Sequence, residues 1–267
     1  MGANDTATLT GVIGQAVLRK EDARFLTGTG QYTDDVSASR QTYAWFLRSP
    51  HAHATIRAVD VVKAKQSSGV VDVFTGADLT GVNGLPCGWL ITGTDGKPMN
   101  EPPHPVLAQG KARYVGDPVA LVVAESIAQA KDAAEQIVVD YDVLPAVVDA
   151  VDALKPGAPQ IHEQAPGNKC YTWALGDKAA VDAAFAKAAH VTKLDLVNNR
   201  LVPNAIEPRA AVASYDRAGD EYTLYVTSQN PHVERLLMTA FVLGLPEHKV
   251  RVIAPDVGGG FGSKIYL

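Results

Sequence analysis

Three consecutive glycines, Gly258–Gly260, followed by Phe261, Gly262, Ser263 and Lys264, constrain this chain more than any other stretch. A run without β-carbons is costly inside a helix or a strand, because its unfolded backbone has so much freedom to lose. It reads as a loop, and it follows a strand-like segment over 249–254. A glycine loop at a strand end can bring bare backbone N–H groups against an anion or an oxo group. The loop lies three residues before the last position, which leads to the expectation that the chain is one part of a larger assembly. On backbone chemistry alone, a plain connecting turn explains the run equally well.

Two phosphate-binding patterns come close to this stretch and fail. A P-loop needs Gly before the lysine and Ser or Thr after it, and here Ser263 precedes and Ile265 follows. A dinucleotide fingerprint needs a third glycine at residue 263 and a helix behind it, and neither is present in the sequence. A nucleotide-binding enzyme built on the loop is therefore disfavoured.

The 267 residues suffice for two domains or one large one. A net charge of −5 implies no basic face for nucleic acid. No window reaches the apolar length of a membrane helix, so no membrane insertion is expected. The small polar start, Met1–Thr8, lacks the basic and apolar regions of a secretory signal, and a cytoplasmic location is expected. The two cysteines, Cys87 and Cys170, are too far apart for a CxxC site and too few for a four-thiolate iron–sulfur cluster. They read as buried small hydrophobes or bystanders.

Strand patterns fall at 42–47, 54–61, 70–75 and 118–124, the last a continuous apolar run suited to a buried strand. The stretch 81–105, rich in Gly and Pro, reads as a long excursion. Ser126 and Gln129 make a capping-box pattern for a helix with Ile127, Ala130, Ala134 and Ile137 on one face. A strand at 137–141 follows. Strands separated by single helices give an α+β, mixed α/β, unit. After a linker-like stretch at 151–170, Asp177 can cap a helix to Lys187 with Val181, Ala184, Phe185 and Ala188 on one stripe. Strands are expected at 190–197, 209–215 and 221–228, the last two joined by a turn at 217–220. Asn230 can cap a further helix, with Pro231 at its first position and Gly244 as its terminator.

Gln229 precedes Asn230, Pro231 and His232 between a strand and that helix. Its neutral amide can donate to an oxo group without adding charge, although local capping by Asn230 explains the motif as well. His51 and His53 share one strand face but are too few for a closed zinc site. Glu207-Pro208-Arg209 reads by default as a surface ion pair.

Taken together, these stretches resemble the molybdopterin-binding large subunit of the molybdenum hydroxylases, the family of xanthine dehydrogenase, aldehyde oxidoreductase and aerobic carbon monoxide dehydrogenase. The segments carrying the resemblance run nearly end to end: 19–28, 48–54, 113–119, 141–145, Glu207–Arg209, Gln229–His232 and Gly258–Lys264. The resemblance implies an α/β hammerhead-type domain over 18–150, after a flexible arm at 1–17. A linker at 151–170 would then lead to the beginning of the molybdopterin-binding domain at 171–267.

The resemblance further implies a molybdenum–pyranopterin cofactor, in bacteria often the cytosine dinucleotide form. Gln229 and the backbone N–H of Phe261, flanked by Gly259, Gly260 and Gly262, would lie beside molybdenum oxo ligands. Neutral donors suit such a place because they stabilise negative charge on oxygen and keep their own protons. No metal-ligating side chain is implied. The family chemistry is hydroxylation or oxidation of a small carbonyl, N-heterocyclic or carbon monoxide substrate with oxygen from water. Iron–sulfur clusters and FAD would reside on separate small and medium subunits.

Two departures shape the expectation. The resemblance places no catalytic base glutamate and no copper-holding cysteine in this chain, so no turnover is expected of it alone. The chain would be either truncated or split, and if split a second polypeptide would carry the rest of the molybdenum domain. Purine-oxidising members place a glutamate directly after the glycine-loop lysine, and Ile265 stands there instead. That leans toward the carbon monoxide dehydrogenase-like and aldehyde or N-heterocycle branches. The alternative expectation is a non-catalytic vestigial or assembly domain of the same family.

Overall fold

The computed structural model describes residues 14–266. Most of the expected arm at 1–17, including Met1–Thr8, lies outside them. The first half contains α1 (Asp22–Leu26), β1 (Tyr43–Arg48), β2 (Ala54–Asp60), α2 (Val62–Lys65), β3 (Val70–Thr75), β4 (Lys111–Ala112), β5 (Pro118–Ala124), α3 (Ile127–Ala134) and β6 (Val138–Val143). The second half contains α4 (Lys178–Lys187), β7 (Ala211–Asp216), β8 (Glu221–Val226), α5 (Pro231–Leu236) and β9 (Val250–Ile253). Mixed α/β architecture is as expected.

The first half is built on two antiparallel three-stranded sheets, ordered β1-β5-β3 and β4-β2-β6. The apolar run 118–124 is the central strand of its sheet, with Val119, Ala120, Val122 and Ala124 at 0–1% exposure and Leu121 and Val123 half-buried. Helix α3 lies on this sheet through Ala130, Ala133 and Ala134. Three alanines on one face let the helix approach closely, and an added leucine side chain there would cost about 1–3 kcal/mol through overpacking. Ser126 caps the helix, its Oγ accepting from Gln129 N at 3.3 Å. The stripe differs from expectation at its start: Ile127 is 42% exposed, and Ala133 takes its place inside.

The second half has one sheet, β7-β8-β9. Strands β7 and β8 form a hairpin, with Tyr215 and Tyr222 paired across it at 4.7 Å between ring centroids. Strand β9 runs parallel to β8. A parallel neighbour requires a crossover, and α5 provides it. The helix continues as a π-helical turn, Leu237–Leu243, and ends at Gly244 in the left-handed region, φ +65°. Because β8 and β9 run parallel, their C-terminal ends lie at the same end of the sheet, which places Gln229 after β8 beside the glycine loop after β9.

Two expectations fail. No strand forms over 190–197. That segment is exposed and makes no backbone ladder among the described residues. A strand needs a neighbour to satisfy its backbone, and this segment has none among the described residues. Helix α4 forms with its Asp177 cap, Ala180 N donating to Oδ1 at 2.9 Å, yet none of its residues is buried. Its apolar stripe therefore packs on nothing described here. The cysteines are free thiols, Cys87 exposed and Cys170 half-buried, so of the two readings offered for them the buried one does not apply to Cys87.

Residues 151–170 carry two 3-10 turns stitched by Asn168. Its amide donates to Ala153 O at 3.0 Å and Pro159 O at 2.9 Å, and its carbonyl accepts from Ile161 N at 2.9 Å.

Candidate functional site

The loop leaves β9 and turns sharply. Gly259 has φ +102°, Phe261 +52° and Gly262 +84°. Two glycines are required by close approach as well as by backbone angle. A Cβ on Gly258 would stand 2.5 Å from Glu207 Cβ, and one on Gly260 would stand 2.3 Å from Gln229 Cδ. The turn closes on Gly260 O, which accepts from Ser263 N at 2.9 Å and Ser263 Oγ at 2.8 Å.

Gln229 reaches this loop directly. Its Oε1 accepts from Gly262 N at 3.0 Å and Lys264 N at 3.3 Å. Its own backbone N donates to Lys264 O at 2.9 Å. Two N–H donors at one end of the carboxamide settle which end is oxygen, so the NH2 group must lie at the other. That NH2 group has no acceptor among the described residues, and neither do the backbone N–H groups of Gly259, Gly260 and Phe261. Successive amides in an alternating left-handed backbone form an anion-binding concavity. The structure thus brings together Gln229, Gly259, Gly260, Phe261 and Gly262. Phe261 is 73% exposed, so the arrangement is an open cradle.

The capping role open to Asn230 is not taken up. Its side chain makes no cap hydrogen bond, and its N–H donates instead to Ser228 Oγ at 2.8 Å. A chain leaving β8 through buried Thr227 and Ser228 is thereby turned so that Gln229 meets the loop.

Glu207-Pro208-Arg209 is not a surface ion pair. Glu207 Oε2 accepts from Gly258 N at 2.6 Å and lies 3.4 Å from Lys264 Nζ. Lys264 Nζ also donates to Glu207 O at 2.7 Å. The two side chains are 11% and 2% exposed. Arg209 grips the far side of the loop, donating to Tyr266 O at 3.2 Å and to Ser263 O. Sequence reasoning noticed the Glu-Pro-Arg triplet and missed that both charges clamp the glycine loop, and it missed Lys264 as the counter-ion of Glu207.

Glu234, in the first turn of α5, was also missed. It is 2% exposed, and its Oε2 has no partner. Burial pushes its carboxyl above the ordinary range, opposed by Ser228 and by the charge of Arg209. Glu207 Oε1 is similarly buried and unpartnered. Two carboxylates with unsatisfied oxygens therefore stand behind the loop.

The histidines of the first half have structural roles. His53 is buried, its Nδ1 2.8 Å from Pro145 O, and His51 meets the ring of Tyr141 edge-on. Among the described residues no group of three or more His, Cys, Asp or Glu could hold a metal ion. Two clefts of about 330 and 320 Å3 lie in the first half and share no residue with the loop.

Comparison with known proteins bears on this geometry. Residues 27–145 match the family model of the aldehyde oxidase and xanthine dehydrogenase a/b hammerhead domain, and residues 161–267 match the molybdopterin cofactor-binding domain. The chain is 40% identical over 259 residues to the carbon monoxide dehydrogenase large chain of Afipia carboxidovorans, covering 92% of this chain and 31% of that one. It is 37% identical over 259 residues to the nicotine 6-hydroxylase large subunit of Paenarthrobacter nicotinovorans, covering 96% and 30%. The structure of reconstituted CO dehydrogenase from Oligotropha carboxidovorans matches with a TM-score of 0.83 at 38% identity, covering 95% of this chain and 32% of that one. The chain thus spans about a third of the length of the curated relatives it matches.

Proposed function

The chain belongs to the aldehyde oxidase and xanthine dehydrogenase family of molybdopterin-binding proteins, and from that premise we propose that Gln229, Gly259, Gly260, Phe261 and Gly262 hold part of a molybdenum–pyranopterin cofactor. The donor set fits such a group. Gln229 NH2 and the three free loop amides are neutral, adjacent and without internal acceptors. Neutral donors stabilise an oxygen-rich ligand without transferring a proton to it.

When bound, the cofactor supplies two-electron redox chemistry that moves oxygen between water and substrate. The residues of this chain bind and orient. Gln229 donates through the nitrogen it is forced to present. Glu207 and Lys264 fix the loop from behind, and Arg209 fixes its far end. No residue here is assigned as a catalytic base, and the polypeptide by itself is proposed to bind without turnover.

For the whole protein the proposal is a large subunit of a cytoplasmic oxidoreductase. It would act on carbon monoxide, an aldehyde or an N-heterocycle, with Ile265 after the loop lysine arguing against a purine. The cofactor would be molybdopterin, either as such or in the cytosine dinucleotide form often found in bacteria. An iron–sulfur small subunit and an FAD medium subunit would carry the electrons away. The remainder of the molybdenum domain would complete the cradle.

The observation that carries this reading is the pair of bonds from Gly262 N and Lys264 N to Gln229 Oε1, which leaves the amide nitrogen free beside the loop. Expression in a host that makes molybdopterin, followed by metal analysis and pterin fluorescence of the purified chain, tests it. Molybdenum and pterin together in the wild type, and their loss in Gln229→Ala, are the expected result. A chain free of both under conditions that load a related enzyme contradicts it.

A further inference from the structure

The glycine loop is tied to the N-terminal segment of the chain, far from it in sequence. Asp256 lies two residues before Gly258, where the chain has left β9. Arg24 Nη2 donates to Asp256 Oδ1 at 2.7 Å, and Nη1 donates to Oδ2. Gln31 N donates to Asp256 Oδ2 at 2.7 Å, and Asp256 N donates to Gln31 O at 2.9 Å. The Asp256 side chain is 14% exposed. Four hydrogen bonds thus hold one residue at the point from which the loop departs.

The anchor is itself ordered. Thr29 Oγ1 donates to Arg24 O at 3.0 Å, and the Arg24 guanidinium lies over the Phe25 ring, 4.7 Å from its centroid. Phe25 stacks in turn on Tyr32 at 6.4 Å, and Asp35 Oδ2 accepts from Tyr32 N at 2.9 Å. A guanidinium held this way presents a fixed fork to a carboxylate, a geometry that a lysine ammonium cannot reproduce. Arg24 and the N–H of Gln31 also hold the Asp256 carboxyl down to about 2, so the tie stays charged at any ordinary pH. The far end of the loop is tied to the first half as well: Tyr266 donates to Pro86 O, and its ring fills the space a Cβ on Gly88 would need.

We propose that Arg24 is a positioning residue that sets the departure point of the glycine loop through Asp256, so that the N-terminal segment forms part of the cradle. The consequence for cofactor binding rests on the reading of Gly258–Lys264 given above. The tie itself does not.

Amide hydrogen exchange on the full 267-residue chain tests the proposal, with Arg24→Gln and Arg24→Lys beside the wild type. The amides of Asp256, Gly258 and Gly262 are all hydrogen-bonded and report on the loop. Arg24→Gln is expected to speed their exchange about tenfold, with the β5 amides unchanged. Arg24→Lys, which keeps the charge and loses the fork, is expected to fall between. Unchanged loop exchange overturns the proposal, and so does equal acceleration in β5, which would mean general destabilisation. Pterin content is measured in parallel. A wild type that binds no pterin, with the loop still loosened in Arg24→Gln, supports the tie and contradicts the assignment of the loop.

Discussion

Gln229 lies so close over Gly260 that a methyl group on the glycine would meet its Cδ at 2.3 Å. The contact runs between two segments, one after β8 and one after β9, that the parallel pairing of these strands brings to the same end of the sheet. It makes Gly260 and Gln229 a single unit: the glycine gives the space, and the carboxamide fills it while bonding the loop two and four residues on.

Gly260→Ala is expected to displace Gln229 and abolish pterin retention. Gly262 has φ +84° but open space around its Cα. Gly262→Ala should therefore cost only about 1 kcal/mol of backbone strain and leave Gln229 in place. Pterin fluorescence of the two purified variants compares them. Equal loss in both would contradict the packing argument.

Gln229→Glu separates the two ends of the carboxamide. A carboxylate can still accept from Gly262 N and Lys264 N, so loop exchange should stay near the wild-type rate. It has no N–H to donate and adds a negative charge. Retention of the cofactor is expected to fall by more than about tenfold. A Glu variant that retains it as well as the wild type would remove the donor role.

Lys264→Met breaks a buried pair and leaves Glu207 without its cation. The loss of stability is expected to be about 3 kcal/mol. A double substitution, Lys264→Met with Glu207→Gln, should recover much of it, because no lone charge remains and the glutamine oxygen can still accept from Gly258 N. Urea unfolding followed by tyrosine fluorescence reads both. A single variant as stable as the wild type would show that the pair does not clamp the loop.

Glu234 gives a pH dependence with a definite sign. Burial raises its carboxyl in the folded state, so the folded chain favours the protonated form. That contribution is fully present below the unfolded value, near pH 4.3, and is lost as pH rises through the folded value. Glu234→Gln, which cannot ionise, should therefore flatten the fall in melting temperature between pH 4 and pH 8. A variant that follows the wild-type curve would place the titration elsewhere.

The sequence read well where local chemistry decides structure. The glycine run had to be a loop, 118–124 had to be buried, and the caps at Ser126 and Asp177 and the helix start at Pro231 follow from the residues themselves. It read poorly where structure depends on partners distant in the chain. Glu207 and Lys264 are separated by more than fifty positions, and nothing local says that both are buried. Arg24 and Asp256 are further apart still. The segment 190–197 shows the reverse error: its residues suit a strand, but local sequence cannot supply a neighbouring strand. Asn230 is a good cap by type, yet Ser228 took its N–H and left its side chain unused. The cradle itself was legible in Gln229 and the glycines, while the charges that support it were not.

The account stands on the carboxamide of Gln229 and the amides of Gly259, Gly260 and Phe261 acting as one donor set. Nitrogen-15 spectra of the labelled chain, recorded before and after anaerobic addition of molybdopterin released from a donor enzyme, test this directly. The account predicts that the Gln229 side-chain NH2 and the three loop amides shift together and saturate at the same cofactor concentration. Shifts confined to other residues, with those four signals unmoved, would contradict it.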